Sequence, residues 1–297
     1  MARETIVPVS QSVLSWLGDS TPYFPGKGRL WNLAIDRIPS LAQGEFQVER
    51  RNLTWSLDIR CVIQRSLYYL GAYEPWDTKF FLSMIKPGQC VVDVGANFGY
   101  YTLQAARLVG RQGTVLAFEP SSIPYERLLH NLSLNKLEWV VACKSALGNE
   151  SRVVQIAIPN ILNQGEQRIL GGAAPLQGEE VPITTLDEFL CSHSSPHVDV
   201  IKVDIEGFEV EFLRGANASI REFKPILMIE VNPLALGRHG SSAGELLGQL
   251  RDLGYRCFTA RGANASYIQI KYLKELTAPP DDRHFLNVFA FPASPTI

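Results

Sequence analysis

No run in this 297-residue chain approaches the roughly 18 consecutive apolar residues that a membrane-spanning helix needs, so a spanning segment is not expected. Charge of one sign is also missing: 28 Lys and Arg stand against 30 Asp and Glu, a formal net charge of -2. Nothing in that balance points to a polyanion or an anionic membrane surface as partner. The five cysteines, Cys61, Cys90, Cys143, Cys191 and Cys257, include no C-x-x-C pair and sit mostly in apolar runs. They read as buried thiols of a reducing compartment. The first thirty residues lack a basic start followed by a compact apolar run, and the expectation is a cytoplasmic protein. A G-x-G-x-x-G fingerprint is absent, which weakens a dinucleotide-binding reading. Internal repeats and low-complexity tracts are absent as well.

What is present from Cys90 onward is an alternation of short β-branched runs with amphipathic segments, the pattern of βαβ units around a parallel sheet. CVVDVG (90–95), TVLAFEP, WVVACKSA (ending near Ala146), VDVIKVD (198–204) and KPILMIEVN (224–232) are the expected strands. Helices are expected over about 100–109, after Ser121 and Ser122 as caps, over EVEFLRGA, and over about 245–253. YRCFTA and FLNVFAF complete a seven-stranded, doubly wound sheet whose last strand is antiparallel. Residues 149–185 break the alternation and read as an inserted hairpin of open role. Residues 1–75 do not follow it either. They carry Trp16, Tyr23, Phe24, Trp31 and Trp55, a hairpin (EFQVER, LTWSLDIR) and a short helix (CVIQRSLYYLG), and are expected to form an accessory cap on a domain spanning 76–297.

The chemistry is expected at VVDVGANFGYYT, an apolar strand running into a glycine turn and a helix start. Gly95 lets backbone approach a ligand, the helix N-terminus offers N–H groups to a carboxylate, and Asp93 can accept from an ammonium. A ligand carrying both groups, the methionine end of S-adenosylmethionine, suits this mixture better than a pyrophosphate. Ala96, Asn97, Gly99 and Thr102 belong to the same turn and helix start. Glu119, twenty residues beyond Gly99, is placed to accept both ribose hydroxyls, flanked by Pro120 and Ser121. Ser145 and Ala146 are small enough for an adenine ring to lie flat. Tyr73 and Glu74, before the first strand, are expected to close over cofactor or substrate.

Lys202 and Asp204 share one face of the fourth strand, with Glu206 just beyond and Glu230 and Asn232 ending the fifth. A hydroxyl acceptor needs a base, and Asp204 is the first choice. Lys202, Glu206 and Glu230 are candidates beside it, although acids at a helix start and a paired lysine are equally ordinary structural features. Asp204, Glu230 and Asn232 also form an oxygen set suited to Mg²⁺, but no metal is assigned. Of His130, His193, His197, His239 and His284, only His239 is placed to overhang the pocket.

The strings VVDVGANFGYYT, VLAFEPSS, SALGN, TTLDEFL, VDVIKVDIEGFEVEFLRGA and ILMIEVNP, in that order over about residues 73–232, resemble the FkbM family of methyltransferases. The most specific of them is IKVDIEGFE. The resemblance implies a class I, Rossmann-like methyltransferase fold and O-methylation of a hydroxyl on a small molecule, natural product or sugar, with S-adenosylhomocysteine as co-product. Nucleic acid and membrane are not expected as partners, and the oligomeric state is open. An NAD-type oxidoreductase and a catalytically silent nucleotide-binding module are the competing expectations.

Overall fold

A computed structural model describes residues 9–21, 26–157, 178–193, 197–262, 270–281 and 285–293. Its centre is an eight-stranded sheet. Strands β3 (Cys90–Val94), β4 (Thr114–Phe118), β5 (Val140–Cys143), β9 (Val200–Val203) and β10 (Ile226–Val231) run parallel, in the spatial order β10-β9-β3-β4-β5. Beyond β10, the antiparallel β13 (Leu286–Pro292) is inserted, followed by β11 (Tyr255–Gly262) and β12 (Ile270–Glu275). Seven strands are thus the expected ones, and β12 adds an eighth at the edge by hairpin pairing with β11.

The parallel strands are near-continuous apolar runs because both faces are covered. Alternation then splits the core in two. Val91, Val115, Val200 and Met228 face one core, while Val92, Val94, Leu116, Ile201 and Ile229 face the other. Helices α8 (Glu209–Gly215) and α11 (Ala243–Asp252) cover the second face; α5 (Tyr100–Val109) and α6 (Ser122–Asn135) cover the first.

The N-terminal elements join that first core. Helices α1 (Val9–Ser20), α2 (Lys27–Asp36), α3 (Val62–Leu70) and α4 (Pro75–Met84) and the hairpin β1 (Glu45–Arg50) and β2 (Leu53–Asp58) contribute Ile35, Phe46, Trp55, Leu67 and Phe81 to it. The outer edge of β2 would leave unpaired N–H groups, and α6 closes it: Thr54 N donates to Asn135 Oδ1 and Ser56 N to Asn131 Oδ1, each at 2.8 Å. Trp55 is fully buried against Phe98 and Tyr100, so it cannot stack on a ligand, and Trp16 is exposed and does not line the cleft at the carboxyl ends of the parallel strands. Tyr23, Phe24 and His284 lie outside the described residues.

The expected third strand, 139–146, is two strands. β5 ends at Cys143 and, after Lys144 and Ser145, β6 (Ala146–Leu147) leaves the main sheet to pair with β8 (Gly178–Thr184). β8 pairs antiparallel with β7 (Arg152–Ala157), giving a separate three-stranded sheet. The expected hairpin therefore exists, with residues 158–177 outside the described part. Cys61, Cys90 and Cys257 are buried as expected, but Cys143 is half-buried and Cys191 exposed; all five are free thiols.

Candidate active site

A cleft of about 980 Å³, open to solvent, lies at the carboxyl ends of the parallel strands, where ligands bind in open α/β sheets. Its walls come from the turn after β3 (Gly95, Ala96, Asn97), the end of β4 (Glu119, Pro120), the β5–β6 link (Ser145, Ala146), β9 and its following turn (Lys202, Asp204, Glu206), and from Tyr73 and His239. Of the residues expected from sequence, these twelve line one cavity. Six others do not: Glu74, Asp93, Gly99, Thr102, Ser121 and Glu230 lie behind the wall.

The β3 turn is tight. Gly95 has φ +78, and a Cβ there would sit 1.9 Å from the Asp204 carbonyl oxygen, so only glycine lets the β3 and β9 ends approach this closely. Ahead of the helix start at Tyr100, the amides of the turn itself are used internally. Gly95 N and Ala96 N both donate to Phe118 O, Asn97 N to Glu119 Oε2, Phe98 N to Asn97 Oδ1 and Gly99 N to Ala96 O. Positive φ at Gly95, Asn97 and Gly99 curls the turn back onto the end of β4.

Parallel register puts Asp93 beside Lys202 on the neighbouring strand. Its carboxylate is 1% exposed, accepts from Thr102 Oγ1 at 2.6 Å and stands 3.4 Å from Lys202 Nζ, and it is not part of the cleft lining. Thr102, wholly buried, serves that carboxylate. Lys202 in turn donates to Gly95 O at 3.1 Å and lies 3.6 Å from Asp204 Oδ2, not against Glu206 or Glu209. Burial disfavours its ammonium most, yet Asp93 and Asp204 together outweigh that and hold the pKa above the ordinary lysine value. Lys202 is therefore a fixed cation that ties the glycine turn to Asp204.

Glu119 is sealed from bulk water and anchored by two backbone donors, Asn97 N at 2.8 Å and Ser121 N at 2.9 Å. A carboxylate offers about four acceptor sites, so this anchoring is compatible with acceptance from a ligand diol. Ser121, expected to cap α6, occupies the N-cap position but makes no capping bond with its side chain.

At the other end the cleft is acidic. The turn after β9 places Glu206 (φ +54) and Gly207 (φ +106) ahead of α8, so Glu206 precedes the helix and does not belong to its first turn. A Cβ at Gly207 would meet Ala235 O at 2.4 Å, which fixes this turn against α10 (Pro233–Arg238). Asp204, Glu206 and Glu230 bring one carboxylate oxygen each within 4.8 Å of one another. Glu230 Oε2 is enclosed without a hydrogen-bond partner. Burial first, then repulsion from Asp204, Glu206, Glu209 and Glu74, pushes the Glu230 pKa up to about 10, so it carries a proton at neutral pH. Asn232, weighed as a metal ligand, instead caps α10 by accepting from Ala235 N at 3.2 Å.

Glu74 sits in the left-handed region (φ +42) at the start of α4, where its Oε2 accepts from Tyr101 Oη and Asn287 Nδ2, each at 3.1 Å. Burial and then Asp204 raise its pKa to about 7. Glu209 is fully buried, bound by Ile205 N and Gly207 N, and burial raises it to about 7 as well. His239 does overhang the cleft, edge-on to Phe208, and burial followed by Arg238 lowers its pKa, favouring neutral imidazole. His130 is exposed and His193 stacks on Phe189, both away from the cleft.

Sequence reading missed the apolar walls, among them Ile63, Phe118, Leu147, Ile156 and Phe208. Such residues carry no signal that separates them from core. Glu209 carried one, a carboxylate two residues after a glycine turn, which here ties that turn down.

The family model described as "Methyltransferase FkbM domain" matches residues 93–257, more than half of the chain. Among curated proteins the chain is similar to "Methyltransferase sdnD" of Sordaria araneosa, 26% identical over 169 residues covering 47% of this chain and 65% of that protein. It is also similar to "Hexuronic acid methyltransferase AglP" of Haloferax volcanii, 27% identical over 138 residues, 46% of this chain and 53% of that one. The chain thus spans between half and two thirds of the length of these relatives. A solved structure titled "Methyltransferase FkbM" from Methylobacillus flagellatus matches over 90% of this chain and 60% of its own, with 14% identity and a TM-score of 0.41. No helix among the described residues is long and apolar enough to cross a membrane.

Proposed function

Because the chain belongs to the FkbM methyltransferase family, we propose that its cleft binds S-adenosylmethionine and directs O-methylation of a hydroxyl on a small molecule or sugar. The observation that carries the reading is the character of the β3 turn. The amides of residues 95–99 are spent internally, the cation beside them, Lys202, is already engaged by Gly95 O, Asp93 and Asp204, and the other charged groups the cleft offers there are carboxylates, Glu119 on one side and Asp204 with Glu206 on the other. Pyrophosphate requires N–H donors or cations at that place, so a dinucleotide fits poorly. A cationic nucleoside with a diol fits: Glu119 takes the ribose hydroxyls, Ser145 and Ala146 leave space for the base, and Asp204 and Glu206 face the positive end.

When bound, S-adenosylmethionine supplies a sulfonium methyl open to in-line displacement. Asp204, lining the cleft and steadied by Lys202, is the group that takes the acceptor hydroxyl's proton as its oxygen attacks. Glu230, protonated beneath it, keeps the negative charge concentrated on Asp204 and Glu206. Tyr73 lines the acceptor end, and its backbone exchanges hydrogen bonds with Tyr100 Oη. His239 and Phe208 line the cleft as well. The acid-lined mouth disfavours a polyanionic acceptor, and the printed name of the Haloferax relative, a hexuronic acid methyltransferase, supports a sugar-like one.

The test is calorimetric titration of the purified chain with S-adenosylhomocysteine, S-adenosylmethionine and NAD. Micromolar or tighter binding of the first two with none of the third is expected; NAD binding, or no binding of S-adenosylhomocysteine, would overturn the reading.

A further inference from the structure

The small sheet β6-β8-β7 is built into the cleft wall. Ala146 and Leu147, both lining the cleft, form β6, which pairs with Ile183 and Thr184 of β8. β7 carries Ile156, which is 2% exposed and also lines the cleft. Since β7 and β8 are paired, the position of Ile156 depends on what holds β8. Pairing with β6 holds its far end, and at the end beside Ile156 the hold is Glu179, the residue opposite Ile156 in the ladder. Its carboxylate accepts from Ser122 N at 3.0 Å and from Ser122 Oγ, and pairs with Lys144 Nζ at 2.9 Å, while Lys144 also donates to Ser122 Oγ at 2.5 Å.

Ser122 is the first residue of the fourteen-residue helix α6, whose own N-cap residue leaves its side chain uncommitted to capping. Glu179 therefore caps α6 from outside, where an anion meets both an orphan N–H and the positive end of the helix dipole. Ser122 follows directly on Glu119, Pro120 and Ser121, and Lys144 immediately precedes Ser145, so Glu179 is bonded to both segments that flank the nucleoside end of the cleft.

Resting on the S-adenosylmethionine reading above, we infer that the β7–β8 arm is a wall of the adenosine site: Ile156 is a contact for the adenine ring, and Glu179, through Ser122 and Lys144, is the positioning residue that holds the arm against it.

The test uses the full chain with S-adenosylhomocysteine and with adenosine alone as calorimetric probes. Ile156→Ala is expected to weaken both probes by the same factor, about five- to tenfold, the scale of truncating an aliphatic side chain that a ligand buries. Glu179→Gln, which removes the charge and keeps the shape, is expected to weaken both about tenfold, with Glu179→Asp recovering part of the loss. In turnover, KM for S-adenosylmethionine should rise while kcat and the acceptor KM stay within about twofold. If the Glu179 and Ile156 variants bind both probes as the wild type does, the inference fails, whatever their melting temperatures. Weakening of S-adenosylhomocysteine without weakening of adenosine would also overturn it, by placing the contact on the methionine end. A wild-type chain that binds neither probe would sink the parent reading together with this one.

Discussion

Replacing Glu230 by Gln should make the protein more stable at alkaline pH and flatten its response to pH. In the folded chain Glu230 holds its proton to about pH 10, because burial and four neighbouring acids oppose ionisation. In the unfolded chain the same carboxyl titrates near pH 4.3. Between those values the folded state carries the extra proton, so the free energy of unfolding falls as pH rises. One such group accounts for at most about 1.4 kcal/mol per pH unit. Glu230 is the largest contributor in the window pH 7 to 8.5, where Glu74 and Glu209, raised to about 7, are half titrated at the start and nearly complete at the end. The thiols of Cys90, Cys143 and Cys257, raised to about 12, 11 and 11, stay protonated in the folded chain while those of the unfolded chain titrate near about 8.5, so they add to the pH dependence of both proteins at the upper end of the window. Across the window Glu230 alone should cost about 2 kcal/mol, roughly 4 °C in Tm for a chain of this size. Glutamine keeps the volume and presents no charge at any pH. Differential scanning calorimetry at pH 7.0, 7.5, 8.0 and 8.5 should show the wild-type Tm falling by roughly 4 °C more than that of Glu230→Gln across the window. Parallel slopes for the two proteins would refute the protonated, acid-crowded description of this residue.

Asp204→Asn should lower turnover at least about a hundredfold, the contribution of a general base, while calorimetry finds S-adenosylhomocysteine affinity within a few-fold of wild type. Glu119→Ala should weaken that affinity by roughly ten- to a hundredfold, the scale of losing one hydrogen bond to a charged group, about 1.5–3 kcal/mol. In Gly95→Ala the added methyl falls on the Asp204 carbonyl, so cofactor binding should be lost even in preparations whose far-ultraviolet circular dichroism matches wild type. Trp55→Ala, in the core shared by hairpin and sheet, should cost about 3–5 kcal/mol in urea unfolding. A cost under about 1 kcal/mol would show that the N-terminal segment packs only loosely on the sheet.

Some of this protein was written in local pattern. Apolar runs with period-two splitting fixed the parallel strands, because strands buried on both faces must be apolar throughout. VVDVGANFG announced a turn at a strand end, because the backbone there needs positive φ. The carboxyl-edge rule then gathered Gly95, Glu119, Ser145 and Asp204 into one cleft from their places in the chain alone. What a turn does with its amides, however, depends on the chain that faces it. Phe118 and Glu119 take those N–H groups from across the sheet, and strand register sets Asp93 beside Lys202, outside the cleft lining. Both are long-range pairings, invisible to a window of neighbouring residues. The same holds for the cap of α6: Ser121 has the side chain a helix start favours, yet Glu179, 57 residues beyond Ser122, takes the position. Likewise, Trp55 is in sequence one aromatic among several in the N-terminal segment, and only its contacts with Phe98 and Tyr100 make it core. Composition and periodicity determined which segments form elements and at which edge chemistry gathers. Tertiary structure alone decided which polar groups reach the cleft, because burial and pairing are settled by partners distant in the chain.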